Sequence, residues 1–262
     1  MDFKAAFVAY LSAERGLASE SVATYLSGLS RLERFVGWDF VDAGDHIDAS
    51  VMRRFFRETE VSHSTKRSTH SAAKAWERWG DMEGLFHANG ILSLQPPMGP
   101  PEEPNQPLHP GQIDTLLGAA RRFSEVKLVY LGLYCGTRIT ESAEMGPEHW
   151  SGDRLRFIGK GSRTREVPIH PALRMVRRAI TIDRLGSRKQ LQYACANLRE
   201  RVGFYFHSHQ LRDTFAQHLL DRDVALEVVE SLLGHTHKSM TLRAYARVPW
   251  HQKMAAIASV DY

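Results

Sequence analysis

Several short stretches in the second half of this 262-residue chain hold side chains suited by type and spacing to an anionic ligand. In GTRITE, Gly136 breaks the chain two residues before Arg138, so Arg138 can open a helix with its guanidinium exposed, unless Glu141 one turn on occupies it. Lys160 lies in a Gly-Lys-Gly-Ser run at the tip of an expected hairpin, a position equally suited to a solvated turn residue. His209 and Arg212 in HSHQLRDTF are three apart, hence on one helical face, and such a pair can grip one oxyanion from one side. His235 closes LLGH, where a helix is ending and an imidazole commonly serves as a cap partner. Tyr245, in TLRAYARV, falls in a helical pattern that also fits a core aromatic. There is no carboxylate cluster, no CxxC pair and no Gly-rich nucleotide loop, so the expectation is no metal and no cofactor.

The elements that carry these residues are mostly helical. From Gly111 to Phe123 and from Glu125 to Cys135 the apolar period is that of helices. Residues 149–170 change character, because Leu155, Phe157, Val167 and Ile169 alternate with polar residues around the Lys160 turn, as in a β-hairpin. From Pro171 to about Ser259 the period is helical again, with breaks near Gly186, Gly203, Gly234 and Pro249. The tail PWHQKMAAIASVDY places Trp250, Met254, Ile257 and Val260 at helical spacing, a face that can dock on its own domain or on a neighbour.

In the first half, four helices are expected. Phe3, Phe7, Tyr10 and Leu11 mark the first, and Val22, Leu26, Leu29, Leu32 and Phe35 the second, after Ser19. Met52, Phe55 and Phe56 follow Asp48 in the third, and the fourth runs from about Ser64 to Trp79. On that last helix Arg67, Lys74 and Arg78 share one face, either a solvated bundle surface or one that contacts phosphates. Between the halves, residues 93–110 hold seven of the eleven prolines and no Lys or Arg, the composition of an extended linker. A dozen such residues span roughly 35 Å, enough to lead one domain around a rod-like ligand.

Charge divides along the same line. Residues 1–92 carry 11 Lys and Arg against 13 Asp and Glu, a net of −2, whereas residues 108–262 carry 23 against 15, a net of +8. The second half suits a polyanion. Two cysteines, Cys135 and Cys195, allow no disulfide framework, and no apolar run reaches the length of a membrane span, so a reducing cytoplasm is the expected location and no membrane partner is expected.

Taken in order, Arg138, Lys160, His209-x-x-Arg212, His235 and Tyr245 form a pattern that resembles the catalytic signature of the tyrosine recombinases, the phage-integrase and Xer-like family. The 26 positions from His209 to His235 match the family's usual interval, while the ten from His235 to Tyr245 are one more than is common there. The resemblance spans nearly the whole chain. It implies a mainly α fold with a small antiparallel β-sheet and two domains: a helical core-site DNA-binding bundle at 1–92, a proline-rich linker at 93–107 and a mixed catalytic domain at 108–262. Arg67, Lys74 and Arg78 are then candidate DNA contacts.

What the resemblance implies chemically is cleavage and rejoining of a phosphodiester. The charge developing on the nonbridging oxygens calls for permanent cations with planar forks, which Arg138 and Arg212 supply, with His235 donating a further hydrogen bond. Tyr245 is the nucleophile, and its phenol, with an ordinary pKa near 10, needs help to ionise at neutral pH. His209 is the candidate base, and Lys160 on its hairpin the candidate acid for the departing 5′ oxygen. The product is a 3′-phosphotyrosyl intermediate. The implied partners are a double-stranded DNA recombination site and three further copies of the chain, in a tetramer that passes strands through a Holliday junction with exchange of C-terminal tails, and the implied location is nucleoid-associated. Two other readings share parts of the pattern: a type IB topoisomerase-like enzyme that cleaves and reseals one strand, and a DNA-binding protein with a decayed site.

Overall fold

The computed structural model describes residues 2–88, 90–99, 106–159, 163–181, 187–234 and 248–262. The chain divides into two compact units, Met1–Glu103 and Pro104–Tyr262. It is mostly helical with one small antiparallel sheet, as the sequence leads one to expect. No helix among the described residues is long and apolar enough to cross a membrane.

The first unit begins with α1 (Phe3–Ala9), which runs on as a π-helical turn over Tyr10–Glu14, followed by α2 (Ser19–Val36), α3 (Phe40–Ala43), α4 (Ala49–Glu58) and α5 (His63–Met82). Short polar side chains start three of these helices by accepting otherwise orphaned amides: Asp2 from Ala5 at 2.9 Å, Asp48 from Val51 at 2.9 Å and Ser62 from Thr65 at 3.1 Å. The core gathers Phe7, Leu29, Leu32, Met52, Phe55, Trp76 and Trp79. Trp76 meets Phe7 edge-on at 5.1 Å and Trp79 at 4.9 Å, so truncating it would remove the centre of the bundle, a loss of about 3–5 kcal/mol. On the outward face of α5, Arg67 and Arg78 are exposed and Lys74 is half-buried.

The chain just before the proline-rich stretch is tied to the first unit. Glu77, fully buried on α5, accepts the amides of Ile91 and Leu92 at 3.2 and 2.8 Å, and Ile91 itself is buried. The far end of that stretch is tied to the second unit, where the Leu108 amide donates to Thr214 Oγ1 at 2.9 Å.

The second unit comprises α6 (Pro110–Ala119), α7 (Phe123–Cys135), α8 (Ile139–Glu144), the strands β1 (Trp150–Ser151), β2 (Arg154–Gly159) and β3 (Arg163–Pro168), then α9 (Pro171–Met175), α10 (Arg177–Thr181), α11 (Arg188–Val202), α12 (Ser208–Leu220), α13 (Leu226–Leu233) and α14 (Trp250–Ala258). Helix α7 is the hub, packed by α12, α11 and α10, and Leu128, Val129, Leu131, Leu133 and Cys135 are all buried. Burial pushes the Cys135 thiol up to about 12, so it stays neutral inside the core. Strands β1, β2 and β3 lie in that order, with Leu155 opposite Val167 and Phe157 opposite Arg165.

Two helix boundaries differ from the periodicity. The first helix of this unit ends at Ala119, not Phe123, because the Glu125 carboxylate accepts the amides of both Arg121 and Arg122 at 3.1 Å and starts α7 afresh. The helix carrying Arg212 stops at Leu220, and the chain turns through Asp223 at φ 56°, a left-handed conformation that Asp tolerates.

The tail lies on its own unit in this chain. Ile257 and Val260 enter the core, the Trp250 indole donates to Asp153 at 2.9 Å, and the Tyr262 hydroxyl donates to the Leu133 carbonyl at 3.0 Å. Met254, which the helical spacing puts on the same apolar face, is exposed instead.

Candidate active site

The site forms where two helices end side by side. Helix α7 closes at Gly136, whose φ of 57° makes the turn, and α13 closes at Gly234 with φ 70°. Side chains would not fit at either place: a Cβ on Gly136 would come within 2.6 Å of the Phe215 ring, and one on Gly234 within 2.8 Å of Arg165 Cδ. The last carbonyls of the two helices, each at the negative end of a helix dipole, therefore come close together with no intrahelical partners.

Arg212 fills that gap. It rises from α12 with 2 % of its surface exposed and donates to the Gly136 carbonyl and, at 2.6 Å, to the Leu233 carbonyl. Burial, with repulsion from Arg165 and Arg138, pulls its pKa down to about 9, which still leaves the guanidinium charged at neutral pH.

Arg138 is the N-cap of α8, two residues beyond Gly136, as the glycine break implies. Its amide donates to Glu141 Oε2 at 2.8 Å and its guanidinium to Glu141 Oε1 at 3.2 Å, while its side chain stays 41 % exposed. The buried Thr137 and Ser142 hydroxyls, 2.6 Å apart, tie the turn to the helix. Arg138 thus combines a fixed backbone with a cation open to solvent.

Glu141 is buried and lies among three guanidiniums. Arg138 and Arg165 touch it directly, Arg165 at 2.9 Å, and Arg212 lies 3.8 Å away. Burial alone would raise its carboxyl, but the Arg165 guanidinium, the Arg138 amide and Arg212 together hold it below the usual carboxylate range. Three positive charges against one negative leave the cluster with a net of +2, a setting for an anion whose charge increases during reaction.

His209 shares α12 with Arg212, but its side chain is 59 % exposed and its Nε2 lies 3.7 Å from Asp213 on the next turn. Arg212 faces inward and His209 toward solvent. Of the other sequence candidates, Lys160, His235 and Tyr245 lie outside the described residues; β2 and β3 lead to and from the first of these, and α13 ends two residues before the second.

Sequence reasoning missed Arg165, which lies under the whole cluster. A signal was present: Leu155, Phe157 and Val167 mark the buried face of the hairpin, and residue 165 falls in the same phase. A charged residue at an inward strand position needs a buried counter-ion, and Glu141 is that partner.

Comparisons with known proteins agree along the length of the chain. Residues 106–250 match the phage integrase family, and residues 5–79 match the phage integrase N-terminal SAM-like domain. The tyrosine recombinase XerC of Chromohalobacter salexigens is 27 % identical, over 94 % of this chain and 92 % of that protein. XerC of Azotobacter vinelandii is 26 % identical, over 96 % and 93 %. Among solved structures, a lambda integrase tetramer bound to a Holliday junction superposes with a TM-score of 0.71 at 16 % identity, covering 94 % of this chain and 79 % of that one. The XerH recombinase on its difH substrate, after cleavage, gives 0.64 at 14 % identity, covering 89 % and 78 %. The family match covers more than half of the chain and includes the helix ends, the hairpin and the Arg138–Glu141–Arg212 cluster: this chain belongs to the phage integrase family of tyrosine recombinases.

Proposed function

We propose that this tyrosine recombinase breaks and rejoins DNA at a specific site through a 3′-phosphotyrosyl intermediate formed on Tyr245. The observation that carries the reading is the seating of Arg138 and Arg212 around one carboxylate at the junction of two helix ends, a preorganised site of net positive charge. In this reaction Tyr245 attacks the phosphorus, its proton passing to His209, and the phosphorus–oxygen bond to the 5′ sugar breaks as Lys160 protonates that oxygen. Arg138, Arg212 and His235 hold the nonbridging oxygens. Reversal of the step with a 5′-hydroxyl from another strand rejoins the backbone, with the phosphotyrosyl bond as the energy store.

Residues 1–92 serve core-site binding through Arg67, Lys74 and Arg78, residues 93–107 are the linker, and residues 108–262 carry the chemistry. Four protomers on a Holliday junction are the working assembly, supported by the likeness to the lambda integrase tetramer. Exchange of tails within it would first have to break the Trp250, Ile257 and Tyr262 contacts made at home. The enzyme works in the cytoplasm, on the nucleoid.

Sequencing the DNA bound to the protein in cells supplies the site, and a nicked duplex of that sequence tests the reading. Wild-type protein should leave a covalent band on a denaturing gel, undiminished by EDTA, and Tyr245→Phe should bind the duplex without forming it. A covalent band that persists in Tyr245→Phe would show that another residue attacks.

A further inference from the structure

Arg165 is the residue around which the parts of the cluster meet. It leaves β3 on the buried face, 6 % exposed, with its guanidinium 4.5 Å over the Phe157 ring. From there it donates to Glu141 Oε2 at 2.9 Å, to the Cys135 carbonyl at 3.1 Å, to the Gly136 carbonyl at 3.4 Å and to the Leu232 carbonyl. One side chain thus links the strand after the Lys160 turn, the helix end before Arg138, the helix end before His235 and the carboxylate that caps α8. Its donors all point into the protein, so it has none to offer a phosphate except its Nε, which is buried without a partner among the described residues.

The distances also show how the single negative charge is shared. Glu141 lies 2.9 Å from Arg165, 3.2 Å from the Arg138 guanidinium and 3.8 Å from Arg212. An unclaimed buried carboxylate would draw the nearest cation into a tight pair and neutralise it toward any other anion. Arg165 takes up that charge from below.

We propose that Arg165 is a positioning residue for strand cleavage: by pairing with Glu141 and clamping the ends of α7 and α13, it keeps Arg138 and Arg212 directed at the phosphate and available to it. The proposal rests on the recombinase reading, and it separates from it experimentally. Arg165→Met keeps the bulk of the side chain and removes both the charge and the fork. Arg165→Lys keeps the charge, but its single nitrogen cannot reach Glu141 and two helix ends together.

The probe is the nicked duplex carrying the sequence recovered from cells, with the rate of covalent product read at saturating DNA and affinity measured alongside. Arg165→Met should lower the rate by on the order of 10²-fold while the affinity changes by less than about threefold. Adding Glu141→Gln to it should restore the rate about tenfold, because no bare carboxylate then remains to capture Arg212. Arg165→Lys should fall between the wild type and Arg165→Met, and it is the variant to read if the methionine protein does not fold. A wild-type rate in Arg165→Lys, a rate loss matched by an equal loss of affinity or of folded protein, or no recovery with Glu141→Gln would each overturn the proposal. If wild-type protein forms no covalent product, the recombinase reading fails, and the link is judged by melting alone. Each single change should then lower Tm, and the double variant should melt no lower than Arg165→Met. Additive losses would refute the Arg165–Glu141 link itself.

Discussion

Two groups of basic side chains in this molecule are held in opposite ways. On α5, Arg67, Lys74 and Arg78 project from the outward face, with Arg67 and Arg78 exposed. In the second unit, Arg212 and Arg165 are buried, and their donors are fixed on helix-end carbonyls and one carboxylate. A cation on a solvated face contributes affinity that salt can screen. A buried arginine held by backbone cannot follow anything. Its position is set before the ligand arrives, which is what stabilising a transition state demands. On the proposed reading the α5 group is binding charge, and the buried group, through Arg212, is catalytic charge.

That distinction is most easily broken at Arg212. Arg212→Ala should reduce cleavage at saturating DNA by at least about 10²–10³-fold, and it should also lower Tm, because the Leu233 carbonyl loses its donor inside the core and the Gly136 carbonyl keeps only the longer bond from Arg165. Rates from single-turnover gels and melting by circular dichroism give both numbers. Unchanged stability would mean that these carbonyls are satisfied in another way. Arg138→Ala comes next, with a loss of about 10²-fold in rate and little change in Tm, since its guanidinium is 41 % exposed and its pairing is screened. If instead the melting temperature fell as far as for Arg212→Ala, the contrast between the two arginines would be lost.

Replacing Arg67, Lys74 and Arg78 by alanine tests the other side. The rate at saturating DNA should stay within about twofold, while affinity drops and the slope of log K against log salt decreases by roughly 0.9 for each phosphate contact removed. A rate defect that saturating DNA does not relieve would show that the α5 face positions the site as well as holding DNA. The smallest effect concerns histidines. His170 and His218 pack against the tail, His218 accepting the Asp261 amide at 3.3 Å, and burial lowers both pKa values. An imidazole held neutral in the folded state takes up its proton more readily when unfolded, so its stabilising effect is complete above the ordinary histidine pKa near 6.5 and is lost as the pH falls below it. Tm should therefore fall by on the order of a few degrees between pH 7 and pH 5, and less in a His170→Gln, His218→Gln double variant. An equal fall in that variant would place the titration elsewhere.

The sequence makes the helical scaffold legible because amphipathic period and capping residues are local properties. Gly136 and Gly234 even mark where the two site-forming helices stop, since a left-handed residue after an apolar run has few other uses. The break at Arg121 and Arg122 was hidden because it depends on Glu125 reaching back to two amides, a contact that apolar period does not record. Arg165 escaped for a related reason. Its strand phase put it inside, but what makes an inward arginine tolerable is a carboxylate 24 positions away and two helix ends farther still. Helix spacing put His209 and Arg212 on one face and said nothing of their depths, which differ because Arg212 meets carbonyls at the ends of α7 and α13 while His209 lies beside Asp213 on its own helix.

The grip of Arg212 on two helix ends also limits how this chain can change in length. One residue inserted within α7 or α13 turns the terminal carbonyls by about 100° and moves them about 1.5 Å along the axis, away from a guanidinium that cannot follow. The exposed turn Asp221–Asp223 after Leu220 carries no such constraint and can absorb insertions at the surface. Gain and loss of residues among descendants of this chain should therefore collect in that turn, while α7 and α13 keep a fixed number of turns.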